Sequence, residues 1–222
     1  MTNVREYVSA LAAEGDVDGW VLEGDGALSF PRGRMRLEST REPEDGQAAN
    51  IVLWCPVDLA DGVEISWDFW PLHEPGLCIL FFAARGRGGE GVGDPALPAR
   101  TGEHEQYQHG AIDAYHVSYF RRMWASERSF HTCNLRKSHG FHLVAQGADL
   151  LPDVLDARWP YRIRVRVAAG EITFSVNDVE SFRWVDDGSI GGPPLAGGAI
   201  GFRQMAPMIA DYANLRIEPL RE

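Results

Sequence analysis

The middle of the sequence concentrates residue types that can move protons and hold negative charge. An imidazole or phenol group can take a proton from a carbon next to a carboxylate, and a guanidinium or ammonium group can stabilise the resulting enolate. An acid must then help the leaving oxygen to depart. The candidate catalytic residues are His116, His142, Tyr107, Arg122 and Lys137. Together they predict an elimination of the lyase type next to a carboxylate.

Paired carboxylates, the groups that hydrolyse glycosidic bonds, are poorly placed in this chain. Such a pair must lie about 5–5.5 Å apart for retention of configuration, or roughly 6.5–9.5 Å apart for inversion. Glu64 and Asp68 form the best pair on one face of a predicted strand. Their backbones are about 13 Å apart, because four residues of extended chain separate them. A standard glycoside hydrolase is therefore disfavoured.

Lys137 is the only lysine among the 21 basic residues. A compact ammonium can serve a purpose that a planar guanidinium cannot, such as donating a proton. Chance use of lysine at this one position is the alternative interpretation.

Outward-facing residues of the predicted middle strands form a second set, suited to hold a ligand. If these strands are neighbours, their alternate side chains project together into one hollow. Aromatic faces stack on sugar C–H groups, while arginine and asparagine bind hydroxyls or carboxylates. The candidate substrate-binding residues on these strands are Asp68, Trp70, Ser118, Asn134 and Arg136. Arg203 and Gln204, at the end of the run GFRQM, could reach the mouth of the hollow and complete the set. A polar residue facing outward is most often only solvated, so a non-catalytic binding module is the alternative.

Alternation of apolar and polar residues predicts strands over almost the whole chain. The predicted strands are 19–23, 27–30, 33–39, 50–55, 63–70, 77–84, 113–122, 130–137, 140–146, 160–168, 171–176, 179–185, 197–204 and 209–218. Within them, Cys133, Leu135, Phe141 and Leu143 are predicted to face the core. The single predicted helix covers residues 3–14, where Asn3 and Glu6 fit a capping box.

Many strands without intervening helices exclude a parallel α/β sheet. An all-β fold with a short N-terminal helix remains, built either as two packed antiparallel sheets or as a barrel. A chain of 222 residues fits one such domain, spanning residues 1–222.

The segment from 85 to 112 interrupts the strand pattern, with seven glycines and two prolines. Connections longer than about 15 residues are usually functional or disordered. This one carries Arg100, His104, Tyr107 and His109, which could contact a ligand. A binding loop and a flexible insertion are both open interpretations.

The net charge of −11 argues against nucleic acid or an anionic membrane as a partner. The N-terminus lacks the apolar core of a signal peptide, and no stretch is long enough for a membrane span, so we predict a cytoplasmic protein. A homodimer is an open alternative, in which Trp70 or Trp124 would form the dimer contact.

Three cysteines, Cys55, Cys78 and Cys133, lie in separate predicted strands, as expected of reduced core thiols. We predict no cofactor and no zinc site, because the histidine spacing matches no zinc motif. Asp186 and Asp187 are a weak candidate for a structural Ca²⁺, and a solvated turn is the simpler interpretation.

Several segments resemble a known family. The runs LCILFFAA (77–84), AYHVSYFRR (114–122) and NLRKSHGFHLVAQG (134–147), with GGAIGFRQM (197–205) near the C-terminus, are similar to the YesU-like family of the concanavalin A-like lectin/glucanase superfamily. The family is a bacterial group of jelly-roll proteins often associated with breakdown of plant polysaccharides. The resemblance implies an all-β, two-sheet antiparallel jelly-roll sandwich and an oligosaccharide ligand in its concave groove. No established catalytic residues come with it.

Overall fold

Two antiparallel sheets packed face to face make up the fold, as the family resemblance implies. The computed structural model describes residues 6–158 and 160–220. Fifteen strands are distributed over an eight-stranded and a seven-stranded sheet. The predicted all-β jelly-roll sandwich is confirmed.

The first sheet, called sheet I, has the strand order β13-β12-β11-β6-β15-β4-β3, with β1 paired to β15. Its strands are β1 (Tyr7–Ser9), β3 (Gly26–Ser29), β4 (Met35–Ser39), β6 (Val63–His73), β11 (Tyr161–Ala168), β12 (Glu171–Val176), β13 (Val179–Val185) and β15 (Ile209–Pro219).

The second sheet, called sheet II, has the strand order β10-β9-β8-β7-β14-β5-β2. Its strands are β2 (Val21–Glu23), β5 (Ile51–Trp54), β7 (Leu77–Gly86), β8 (Ile112–Tyr119), β9 (Thr132–Ser138), β10 (His142–Ala148) and β14 (Ala199–Met205).

Aromatic side chains fill the interior between the sheets. The Trp67 ring of sheet I lies 5.8 Å from the Tyr119 ring and 5.4 Å from the Phe202 ring of sheet II, measured between centroids. All three side chains are buried. Burial of this much apolar surface is the main favourable contribution to folding.

The three cysteines are buried and unpaired. Burial raises the pKa of the Cys55 thiol to about 12, so this thiol stays protonated and unreactive. Cys78 and Cys133 also have no exposed surface and belong to the core between the sheets.

All fourteen predicted strands are present, with ends that differ by a few residues. The strand β8 stops at Tyr119, three residues early, because the pattern predicts a strand to residue 122. Phe120 adopts a left-handed conformation, with φ of 48°, which departs from the extended backbone of a strand. The chain then forms a short helix, α2 (Ala125–Phe130).

The predicted N-terminal helix is wrong over the residues that the structure describes. Residues 3–5 lie outside them, but Tyr7–Ser9 form β1, and Glu14–Val17 form a 3-10 turn. Val8 pairs with Arg216 of β15, and Leu11 is fully buried in the core. Pairing with β15 satisfies the backbone hydrogen-bonding groups of these residues. Local helix preference did not reveal this pairing.

The long connection between β7 and β8 packs onto sheet II. It contains one helical turn, α1 (Glu105–Gln108), and it buries Val92 and Tyr107 against the sheet face that points away from sheet I. We call that face the outer face of sheet II. No helix in the described ranges is long and apolar enough to cross a membrane.

Candidate functional site

Strand pairing sets two parallel rows of side chains on the outer face of sheet II. Residues directly opposite each other in a ladder share a face, and adjacent strands are about 4.8 Å apart. One row runs through Gln146, Asn134, Ser118, Ile79, Arg203, Val52 and Glu23. The next row runs through Arg136, His116, Phe81, Gly201, Trp54 and Val21.

Four basic side chains meet on this face, and we call them the cationic cluster: His104, His116, Arg136 and Arg203. His104 comes from the start of α1, and its ring lies 6.0 Å from the His116 ring. Gln47 Oε1 accepts from His104 N at 3.2 Å and from Arg203 Nη2 at 3.5 Å. The connection therefore brings His104 over the two rows of the sheet.

Phe141 closes one side of the cationic cluster. Its ring stacks on His116 at 5.7 Å and meets the edge of His104 at 5.3 Å. The Arg136 guanidinium lies 4.0 Å from the centroid of the same ring. Phe141 has a left-handed φ of 56°, and this conformation places its ring on the outer face.

Several nitrogen atoms of the cationic cluster are buried without a hydrogen-bond partner. They are Arg203 Nε and Nη1, His104 Nε2 and His116 Nδ1. Over residues 6–158 and 160–220, no carboxylate lies within ion-pair distance of any of the four basic side chains. Buried polar groups in native proteins are nearly always paired, so this group of unpaired nitrogens is unusual.

Burial and mutual repulsion shift the protonation of the cationic cluster. Burial, followed by the charges of Arg203 and its neighbours, lowers the pKa of His104 to about 2. Burial and the charges of Arg136 and Arg203 lower the pKa of His116 to about 3. Burial also lowers the pKa of Arg203 to about 10. At neutral pH both imidazoles are neutral and both guanidiniums are charged.

Buried positive charge without a counterion is costly, and an anionic group would remove that cost. A carboxylate offers two acceptor oxygens, which fit guanidinium and imidazole donors. Polar groups suited to hydroxyls lie alongside: Ser118 and Asn134 are almost fully buried in the first row, and Gln146 Nε2 donates to Asn134 Oδ1 at 2.8 Å.

Comparison with known proteins places the chain in a family. The model of a domain of unknown function, DUF1961, matches residues 5–217. The chain belongs to this family. It is 47% identical over 211 residues to the uncharacterized protein YesU of Bacillus subtilis (strain 168), covering 95% of this chain and 94% of YesU.

Solved structures show the same fold for this DUF1961 protein. A protein of unknown function with a galectin-like fold from Bacillus subtilis superposes with a TM-score of 0.92 and 47% identity, covering 96% of this chain and 94% of the other. The carbohydrate binding module CBM66 from Bacillus subtilis superposes with a TM-score of 0.55 and 12% identity, covering 90% and 95%. The predicted membership of the YesU-like family is confirmed.

The structure brings together five of the predicted site residues of the DUF1961 protein: His116, Ser118, Asn134, Arg136 and Arg203. Strand alternation was a sufficient signal for four of them, and Arg203 was predicted from its position at the end of the run GFRQM. Their roles stay predictions, but the shared surface on which those roles depend is present.

Tyr107 lies on the outer face but is fully buried and engaged at its hydroxyl. The hydroxyl donates to Glu23 Oε2 at 2.6 Å and accepts from Gly102 N at 3.1 Å. Burial and the Glu23 carboxylate raise the pKa of Tyr107 far above its usual range. The structure does not support Tyr107 as a base.

Two predicted catalytic cations point away from the cationic cluster. Lys137 alternates with Arg136 and faces inward, where its Nζ lies 2.7 Å from Asp186 Oδ2. Arg122 is fully buried and pairs with Asp149 at 2.7 Å and with Asp153 at 2.5 Å. The prediction that they share a surface with His116 is wrong, because the buried carboxylates of Asp186 and Asp149 hold them.

His142 also faces the wrong way for the predicted site. In the β9–β10 ladder it lies opposite Lys137, whereas Leu143 lies opposite Arg136. The reversal follows from Phe141, which was predicted to face the core. Since Phe141 turns onto the outer face, the next residue is turned off it. His142 packs against the turn at Gly140 and Gly191.

Three predicted binding residues lie elsewhere in the sandwich. Asp68 and Trp70 are on the outer side of sheet I, where Asp68 pairs with Arg162 at 3.0 Å and Arg34 lies 4.0 Å from the Trp70 ring. Gln204 points between the sheets and donates to Leu37 O at 2.7 Å. The expectation of one shared hollow is wrong for these three.

Asp186, offered as a weak Ca²⁺ ligand, is already saturated. Its Oδ2 accepts from Lys137 Nζ and from the Tyr115 hydroxyl at 2.6 Å, and its Oδ1 accepts from Gly188 N at 2.9 Å. Asp187 Oδ1 accepts from Ser189 N at 2.9 Å. These contacts fit the alternative interpretation of this pair as a turn.

Sequence reasoning missed Phe141 as a site residue and left His104 among several candidates of the connection. Gly140 beside Phe141 is a turn signal that could have questioned the inward assignment. His104 is distinguished only by its position over the sheet, which no local pattern reveals.

Proposed function

We propose that the outer face of sheet II binds an oligosaccharide that carries a carboxylate, and that the cationic cluster holds this carboxylate. The observation that carries the proposal is the set of buried, unpaired nitrogens on Arg203, His104 and His116. A sugar carboxylate would supply these nitrogens with hydrogen-bond acceptors and would supply the cationic cluster with a negative charge.

The neighbouring residues support a sugar ligand over a simple anion. Ser118, Asn134 and Gln146 extend the same row toward β10, and their hydroxyl and amide groups can bind sugar hydroxyls. A structural neighbour, CBM66, is named as a carbohydrate binding module, which makes saccharide binding a natural use of this fold.

Isothermal titration calorimetry with uronate oligosaccharides and their neutral counterparts tests the proposal. We expect the acidic ligands to bind at least about tenfold more tightly, since a charged hydrogen bond contributes about 1.5–3 kcal/mol. Arg203→Met should remove this preference. Arg166→Met, on the outer side of sheet I with 53% of its side chain exposed, is the matched control. Equal affinity for both ligand classes contradicts the proposal.

Lyase activity is a second candidate, favoured by the neutral His116 beside Arg136 and Arg203. His116 Nδ1 would take the proton from the carbon next to the carboxylate. The C–H electrons then form a C=C bond, the C–O bond to the neighbouring sugar breaks, and the leaving oxygen takes a proton from water. The hydroxide left behind takes the proton from His116, which restores the neutral imidazole and the water. The guanidiniums would stabilise the enolate.

Ultraviolet absorbance of the unsaturated product distinguishes the two candidates. Product that forms with wild-type protein and not with His116→Gln supports the lyase. Binding of uronate oligosaccharide with no change in absorbance supports a non-catalytic binding protein.

A further inference from the structure

A separate cavity of about 130 Å³ lies at the other end of the outer face of sheet II. Val92 of the connection and Trp54 of β5 line it, together with Val21, Pro56, Val57 and Ala199. Val21 is 52% exposed, so the cavity opens to solvent. The stacked rings of Trp54, Phe81 and Tyr107 separate it from the cationic cluster.

The walls of this cavity are mainly apolar and carry no unpaired charge. Glu23 is bound by Arg100 Nη2 at 2.6 Å and by the Tyr107 hydroxyl. Asp58 is bound by Arg85 Nη2 at 2.7 Å. Because both carboxylates are neutralised by arginine, an ion gains nothing here, and the lining favours an uncharged group.

Trp54 provides a hydrogen-bond donor that nothing in the described chain accepts. Its side chain is 3% exposed, and its Nε1–H is buried without a partner. A Cβ atom placed on Gly201 would lie 2.6 Å from Trp54 Cε3, so the benzene edge of the indole packs on β14. The Nε1 edge is turned away from β14.

We propose that Trp54 Nε1 faces this cavity, and that the cavity binds a small, uncharged, mainly apolar group with one hydrogen-bond acceptor for this donor. A cavity of about 150 Å³ in another protein binds benzene, so a single aromatic ring sets the size of the occupant. A free small molecule and an aryl ester substituent on a saccharide share this chemistry. The proposal is independent of the cationic cluster.

Acetophenone and α-methylstyrene test the proposal, because they have nearly the same shape and differ in a carbonyl oxygen against a methylene. Titration of the indole N–H signals by nuclear magnetic resonance gives both dissociation constants, and Trp54→Phe assigns the Trp54 signal. We expect acetophenone to bind about threefold to tenfold more tightly, the range of one neutral hydrogen bond.

Two variants separate the cavity from other apolar surfaces. Ala199→Leu fills the cavity and should weaken both ligands more than tenfold. Ala99→Leu makes the same change at an exposed position of the connection and should leave both dissociation constants unchanged. Trp54→Phe should abolish the preference for acetophenone and retain binding of α-methylstyrene.

The comparison of the two ligands on wild-type protein stands even if a variant fails to fold. Absence of binding by either ligand at millimolar concentration, or equal affinity for the two, overturns the proposal. Glucuronic acid benzoate and glucuronic acid then distinguish the sources. If Ala199→Leu weakens binding of the benzoate and not of glucuronic acid, the natural occupant is a substituent on a saccharide. If acetophenone binds and the benzoate shows no such effect, the natural occupant is a free small molecule.

Discussion

Lys137 Nζ lies 2.7 Å from Asp186 Oδ2, and neither side chain has exposed surface. The ammonium also donates to Gly192 O at 2.6 Å and to Pro193 O at 2.9 Å. Three donors thus meet three acceptors, and a planar guanidinium could not reproduce this arrangement. The one lysine of the chain has a structural role at this position, tying the segment around Gly192 to β9.

Lys137→Met should therefore destabilise the fold by about 3–5 kcal/mol, because it leaves the buried Asp186 carboxylate without its cation. Denaturant unfolding measures the change. Lys137→Met combined with Asp186→Asn should recover part of the loss. Arg166→Met, an exposed change of the same kind, should stay within about 0.5 kcal/mol of wild type. A loss under 1 kcal/mol for Lys137→Met would show that the pair contributes little.

Arg203→Met should stabilise the unliganded protein while weakening uronate oligosaccharide to the affinity of its neutral counterpart. The guanidinium is fully buried with two nitrogens unpaired, and each unpaired buried group costs about 1–3 kcal/mol. Thermal unfolding and calorimetry on the same samples measure the two effects. A variant that is less stable and still prefers the acidic ligand would contradict the assignment of Arg203 to the ligand.

Acid should destabilise the protein through His104 and His116. Their folded pKa values, about 2 and about 3, lie below the usual histidine value of about 6.5. Between roughly pH 6.5 and pH 3, the unfolded state binds more protons, so the free energy of unfolding falls as the pH falls. Each histidine contributes up to about 1.4 kcal/mol per pH unit.

Urea unfolding at several pH values tests this dependence. His104→Gln and His116→Gln should each give a shallower decline in stability between pH 6.5 and pH 4 than wild type. His109→Gln, at a histidine with 44% of its side chain exposed, should follow the wild-type curve. Identical slopes for all three variants would refute the buried neutral state.

Tyr107→Phe should cost about 1–2 kcal/mol of stability, since it removes the acceptor for Gly102 N and the donor to Glu23. We expect unchanged affinity for uronate oligosaccharide and unchanged formation of any unsaturated product, because the hydroxyl is directed at Glu23. Product formation that is lost while the fold is intact would restore Tyr107 as a catalytic residue.

Strand positions and four site residues could be predicted because alternation alone determines them. Ser118 and His116 needed only the two-residue period of β8. Phe141 could not be predicted, because a single left-handed residue reverses the faces that follow it. Arg122 and Gln204 show a second limit: long polar side chains that find interior partners have the same local pattern as solvated ones.

The sequence pattern also does not show which of the two sheets each strand joins. Asp68 and Trp70 alternate correctly on β6, but β6 pairs with β11 and β15. Strand order depends on contacts between distant parts of the chain, which periodicity does not encode.

The glycines of the long connection differ sharply in the space that surrounds them for a side chain. At Gly102, with φ of 90°, an added Cβ would lie 1.9 Å from the Asn50 carbonyl oxygen, whereas at Gly93 it would meet nothing within 4 Å. The backbone at Gly102 packs directly against the backbone of Asn50, which leaves no room for a side chain. An alignment of homologues should therefore show glycine conserved at position 102 and various residues at position 93. Random mutagenesis should likewise yield folded variants with substitutions at position 93 and not at position 102.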